Sequence, residues 1–340
     1  MRRERWGVMF GFVLVCWMAG QGPLWAQEAV LPQGVKAVWD MDKAQHVVTP
    51  TREQICINGL WRWQPVTEAT ETVPEANWGY FKVPGPWPKM KGGRDAEAQA
   101  VYAHESWRRA DLEKTDQAWY QREVVVPATW AGRRIVLETQ YVNNSAVVYL
   151  DGKKAGEITE RGGTVDLTAL CVPGQKQVLS MFVRKGQRHF RGLCGDVYLE
   201  GTSKGERIDD VKVETSVRKW EITVDAAVTS LTAGKRYQLV GDLLDGGKVV
   251  NTIRSEAFGA NDVQGGRIRF SNPWHPGKLW DTDTPENQYD LKLRLQAADG
   301  KVLDEFRPAR FGFREIWIDG RDIRLNGTKV HFFATAYSAS

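Results

Sequence analysis

Apolar residues in this chain recur at every second position, in short runs, and rarely at the spacing of a helix. The segments "WYQREVVVP" (119–127), "RRIVLETQYV" (133–142), "SAVVYLDGKKAGEI" (145–158), "KQVLSMFVRK" (176–185) and "GDVYLEG" (195–201) all carry this pattern. Successive side chains of a strand point to opposite faces, so a period of two predicts a strand with one buried side. The connectors "PATWAG", "DGKK" and "VPGQ" are rich in turn formers. No segment before residue 200 predicts an amphipathic helix. Several short strands at near-regular spacing predict an all-β sandwich or barrel.

The segment "QICINGLWRWQPV" (54–66) predicts two strands about a turn at Asn58-Gly59. Residues 88–117 break the rhythm with a long polar stretch. Loops beyond about 12–15 residues are usually functional or disordered, and Tyr102 and Trp107 predict one that packs against the body. After the polar linker "EGTSKGERID" (200–209) a second block, about 206–312, again reads as strands with tight DG and GG turns. Roughly 100 residues with about seven strands fit an immunoglobulin-like sandwich.

The 340 residues leave room for two or three domains. Fifteen tryptophans fit sandwich cores or stacking platforms for sugar rings, and the core is the default. Trp61, Trp63, Trp87, Trp119 and Trp130 lie within strand or turn motifs and are assigned to the core. The net charge of +4 is spread over interspersed signs, which argues against a nucleic-acid face. A basic start, "MRRERW", an apolar run, "GVMFGFVLVCWMAG", and "PLWA" before "QEAV" read as a signal peptide over 1–26. Its apolar run is too short for a stable membrane span. Export to a periplasmic or extracellular location is expected, and Val15 before Cys16 argues against a lipidated cysteine. The remaining cysteines, Cys56, Cys171 and Cys194, allow one bridge or three buried thiols. The five histidines, His46, His104, His189, His275 and His331, show no metal-ligand spacing, so neither metal nor cofactor is expected.

Beyond periodicity, an ordered set of motifs stands out. "INGLWRW" (57–63), "VPGPWP" (83–88), "WYQREVVVPATWAGRRIVL" (119–137), "AVVYLDGKKAGE" (146–157), "VDLTAL" (165–170) and "RGLCGDVYLE" (191–200) follow one another. In that order they resemble the N-terminal sugar-binding jelly roll of family 2 glycoside hydrolases, the β-galactosidase, β-glucuronidase and β-mannosidase group. "PWHPGKLWDTDTPENQYDLKLRL" (273–295) resembles that family's immunoglobulin-like domain. "FGFREIWIDGRDIRLNGTKVHFF" (311–333) is similar to its junction with the catalytic (β/α)8 barrel. The resemblance covers roughly residues 50–335. Asp151 stands where the family often has Asn, and "HFFATAYSAS" departs from its usual entry into the barrel.

The resemblance implies a jelly roll over 27–202, an immunoglobulin-like sandwich over 203–312 and the start of a truncated barrel over 313–340. It implies an exported glycoside hydrolase, hydrolysing O-glycosyl bonds of β-linked carbohydrates with retention. The two carboxylates of a retaining glycosidase stand about 5–5.5 Å apart. In the family both lie in the barrel, so no catalytic residue is assigned here, and the chain alone is expected to be inactive. A stand-alone secreted carbohydrate-binding or interaction module is the alternative. Accessory sugar contacts are assigned to two loops, through Glu105, Trp107 and Arg108 in the first and Arg188, His189 and Arg191 in the second. In the second loop many relatives carry an acidic residue before an aromatic, and the basic set here suits an anionic sugar or a structural contact. Without a barrel, residues beyond about 332 are expected to be poorly ordered, and trimming at about Arg314 to leave the melting temperature within a few degrees.

Overall fold

The computed structural model describes residues 28–66, 72–87, 101–143, 145–159, 161–185 and 192–332. The leader, residues 88–100, Arg188, His189, Arg191 and everything past 332 lie outside the described residues. The fold is all-β, as the period of two predicts. Among the described residues helical turns are confined to short 3-10 segments such as Leu112–Lys114 and Ala128–Trp130. None of their helices is long and apolar enough to cross a membrane.

The first sandwich is a jelly roll of two antiparallel sheets. One runs in the order His46–Val48, Glu53–Cys56, Val197–Thr202, Arg134–Thr139, Gly163–Asp166. The other runs Lys153–Thr159, Ser145–Leu150, Lys176–Arg184, Gln117–Val125, Gly59–Pro65, Gly79–Val83, Val101–Tyr102. Strand Gln117–Val125 shows how the alternation works. Ala118, Tyr120 and Val124 point into the main core, whereas Trp119 points out to a smaller cluster with Trp78, Tyr149 and Phe182. Its ring lies 4.9 Å from that of Phe182. Both faces of this strand are therefore covered, which explains why so few of its positions are exposed. The five tryptophans assigned to the core are all buried.

Asn58-Gly59 does something other than close a hairpin. Strands Glu53–Cys56 and Gly59–Pro65 belong to different sheets, so this dipeptide carries the chain across the sandwich. Gly59 has φ near +123°. The Asn58 side chain bonds Asp196 (2.8 Å) and accepts from the Val197 amide (3.0 Å), pinning the start of the crossing to the sheet that the chain leaves.

The second sandwich is immunoglobulin-like. A sheet of Arg207–Ser216, Glu221–Thr229 and Arg267–Pro273 faces one ordered Lys248–Arg254, Tyr237–Asp245, Tyr289–Ala297, Val302–Glu305, with Ala309–Phe311 also paired to Tyr289–Ala297. Its core is separate from the first and is centred on Val224, Leu239, Leu291 and Phe313. Trp274 packs edge-on against Tyr289 at 4.9 Å and Phe313 at 5.3 Å.

Buried polar groups join the two sandwiches. Arg52 donates to Glu200 (3.1 Å), to the Ile208 carbonyl (2.7 Å) and to Asp304, and its guanidinium lies 4.8 Å over the Phe306 ring. Asp304, fully buried, also accepts from Thr51 Oγ1 (2.7 Å) and the Ile208 amide (2.8 Å). Beside them Arg307 of the second sandwich reaches Glu138 of the first at 3.4 Å. Burial pushes the Glu138 carboxyl above its ordinary value, against the opposing pull of Arg307.

The last described strands, Ile316–Asp319, Asp322–Leu325 and Thr328–Val330, form a small antiparallel sheet. Asn326 (φ +51°) and Gly327 (φ +95°) make the two-residue turn that the sequence predicts. The sheet is docked, however, contrary to the expectation that trimming at Arg314 is harmless. Glu315 accepts from Ser216 Oγ and the Arg218 amide, both at 2.9 Å, and from the Arg218 guanidinium. Asn326 donates to the Trp280 carbonyl at 2.8 Å, and Leu325 is buried. Phe332 stays exposed.

Candidate functional site

Glu105, Trp107 and Arg108 lie in the turn that follows Val101–Tyr102 at the edge of the seven-stranded sheet. Glu105 and Arg108 are exposed and pair with each other at 2.8 Å, three residues apart. Trp107 is turned the other way. Its ring packs 5.4 Å from Trp63, and its Nε1–H donates to the Asn77 carbonyl at 2.8 Å. A side chain at Gly79 would collide with the Tyr102 carbonyl (2.3 Å) and the Trp107 ring (2.4 Å), so glycine there admits the tryptophan. In the described part of the predicted loop, 101–117, Trp107 packs against the body as expected and spends its face on protein.

Cys56, Cys171 and Cys194 are half-buried, and no disulfide joins them among the described residues. Burial pushes the Cys171 and Cys194 thiols up to about 11, so both stay protonated and poorly nucleophilic at neutral pH. His46 bonds Glu53 at 2.9 Å, and His275 stacks 3.6 Å from the Trp220 ring. Among the described residues no group of three His, Cys, Asp or Glu is placed to hold a metal ion.

A concave site exists elsewhere on the jelly roll. The segment 28–39 passes over strands Gly59–Pro65 and Gln117–Val125 and closes a cleft of about 230 Å³. Glu28, Trp39, Arg62, Tyr80, Arg122 and Lys176 are among its lining residues. Glu28 pairs with Arg62 at 2.6 Å and accepts from the Tyr80 hydroxyl. Burial, then the neighbouring Glu28 carboxylate, pushes the Tyr80 phenol up to about 12. Gln121 holds Arg62 from the other side at 3.0 Å, and Lys176 pairs with Glu123 at 3.1 Å. Sequence reasoning missed this site. One signal was available: Arg122 falls in phase with Tyr120 and Val124, so it is a charge at a core-facing position of its strand.

Comparison with known proteins places this architecture. No family model matches the chain. A putative β-glucuronidase of Formosa agariphila is 26% identical over 305 residues, covering 83% of this chain and 34% of that protein. A β-glucuronidase of Paenibacillus borealis is 22% identical over 325 residues, covering 84% and 49%. The β-glucuronidase from Ruminococcus gnavus in complex with D-glucuronic acid superposes with a TM-score of 0.61 at 16% identity, over 84% of this chain and 50% of that one. The fold is that of the N-terminal domains of family 2 glycoside hydrolases. A putative β-galactosidase from Bacteroides fragilis shares this family 2 fold, with a TM-score of 0.59 at 19% identity over 82% of this chain. The chain spans a third to a half of the length of the two curated relatives described. Within the family 2 fold, the 230 Å³ cleft lies on the jelly roll, and Glu315 and Asn326 hold the closing hairpin to the second sandwich.

Proposed function

We propose that this chain forms the non-catalytic N-terminal part of an exported glycoside hydrolase acting on β-linked glucuronides. Its two sandwiches serve as the scaffold on which a catalytic barrel stands. The observation that carries this reading is the alignment of about four fifths of the chain with curated proteins named as β-glucuronidases. The docked closing hairpin fits it, because it offers a defined seat from which a first barrel strand would leave. Exposed Ile318 on that hairpin would be covered by the barrel. On this reading the catalytic acid/base and nucleophile both belong to the barrel, and the loop pair Glu105–Arg108 stands on the rim of its pocket.

Two measurements test the proposal together. Reading the gene beyond the codon for Ser340 should show an in-frame barrel with two carboxylates at strand ends. The purified chain itself should leave chromogenic β-glucuronides, β-galactosides and β-mannosides unhydrolysed. A stop codon followed by an unrelated gene would favour a stand-alone carbohydrate-binding module. Turnover abolished by a point substitution within this chain would place the chemistry here instead.

A further inference from the structure

Arg122 is only 6% exposed, yet no carboxylate among the described residues forms an ion pair with it. Its Nε–H is buried without an acceptor, and the side-chain hydrogen bond it makes among the described residues is a long one of 3.4 Å to the Leu60 carbonyl. The guanidinium lies 5.6 Å over the Trp61 ring. It sits where two strands part company. The ladder between Gly59–Pro65 and Gln117–Val125 ends at Arg62 opposite Gln121, while Gly59 and Leu60 pair only with Val83 and Lys82 on the other side. A Cβ on Gly59 would come within 3.4 Å of Arg122 Nη2, so the space beside Gly59 is occupied by the guanidinium.

Arg122 lines the 230 Å³ cleft. The other charged lining groups are already matched, Arg62 with Glu28 and Lys176 with Glu123. The surplus positive charge of the cleft is therefore that of Arg122. Burying an unpaired charge is costly unless an opposite charge meets it, and desolvation indeed lowers its pKa to about 10. Such a group is prepared to take a planar anion in its fork. The cleft is smaller than the roughly 300–1,000 Å³ of drug-sized sites, which fits one small ring. Tyr80, Gln121 and Trp39 supply polar and aromatic surface around it.

We propose that this cleft is a binding site for the carboxylate of an acidic monosaccharide, with Arg122 as the anion ligand. The anion chemistry stands on Arg122 alone; the choice of a uronic acid over another carboxylate rests on the functional reading above. The site lies on the jelly roll and needs no barrel. It would hold the enzyme to uronate-bearing glycans rather than cleave them.

Thermal melts of the full chain in sodium D-glucuronate, D-glucose and sodium acetate, at equal ionic strength, test this. A Kd on the order of 1 mM predicts a rise of about 3–6 °C in 20 mM glucuronate, and less than a third of that in glucose or acetate. Arg122→Met should abolish the glucuronate response and, without ligand, melt no lower than the parent, because it removes an unpaired buried charge. No rise in glucuronate, an equal rise in glucose or acetate, or an undiminished rise in R122M each overturns the proposal. If R122M fails to fold, side-chain nitrogen NMR of the parent chain decides. The Arg122 Nε–H signal, assigned with Arg122→Lys, must move with glucuronate and stay put with glucose; a stationary signal overturns it. These outcomes concern the jelly roll alone, so their failure leaves the scaffold reading and its hydrolysis test untouched.

Discussion

Asp304 shows how much can rest on one side chain. It accepts from a hydroxyl, a guanidinium and a backbone amide, and those donors come from both sandwiches. Removing one partner of a buried ion pair typically destabilises by about 3–5 kcal/mol, because the other charge is left stranded. Asp304→Ala should therefore lose about that much in urea titrations, with Arg52 left facing only Glu200 and the Ile208 carbonyl. Replacing both partners by apolar residues should lose less than Asp304→Ala alone.

Glu206 makes a separate, pH-dependent contribution. Its carboxylate accepts from Thr232 Oγ1 (2.8 Å) and the Tyr237 hydroxyl (3.0 Å). Hydrogen bonding to the charged form, backbone included, lowers its pKa from the ordinary 4.5 to about 2. A depressed folded-state value means stability that is present above pH 4.5 and lost as pH falls toward 2. Glu206→Gln should flatten that part of the melting curve. The parent should lose roughly 2–4 °C more than the variant between pH 5 and pH 2.5, on the basis of about 1 kcal/mol for such a group.

At the scale of elements, the closing hairpin is a structural part of the second sandwich. Its loss would remove the buried Leu325 and the packing it makes, break the Glu315–Arg218 pair and leave the Trp280 carbonyl without its Asn326 donor. A chain ending at Arg314 should thus melt about 5 °C or more below the parent, and differential scanning calorimetry checks this directly. The hairpin itself was legible in the sequence, since Asn-Gly between apolar runs demands positive φ at both positions. Its docking was not legible, because the partners Ser216, Arg218 and Trp280 are remote in sequence. The same limit applies to Asn58-Gly59, where the local signal announces a turn but cannot say whether the next strand stays in the sheet. Strands were readable wherever one face is buried. Gln117–Val125, covered on both faces, keeps its period of two only in which core each residue enters. An aromatic in a polar loop, such as Trp107, carries no phase from which to tell inward from outward.

For the whole molecule, the polar junction argues that the two sandwiches unfold together. Arg52, Glu138 and Glu200 meet Asp304 and Arg307 at a largely buried junction, and Thr49 donates to the Glu305 carbonyl at 2.9 Å. The parent should show one calorimetric transition, and Asp304→Ala should split it into two as the sandwiches uncouple. The contact between Arg52 and Asp304 joins positions 252 residues apart. A ribosome adds about 5–20 residues per second, so roughly 13–50 s separate the synthesis of one partner from that of the other. Glu200 follows Arg52 by 148 residues, so only in the later part of that interval is the jelly roll complete; it then presents Arg52 and Glu200 bare at its rim, and the junction can seal only when translation has delivered the last strands of the second sandwich. Quality-control proteases and chaperones that meet the chain in that window would therefore sense, through this one unsealed rim, whether its second half has arrived.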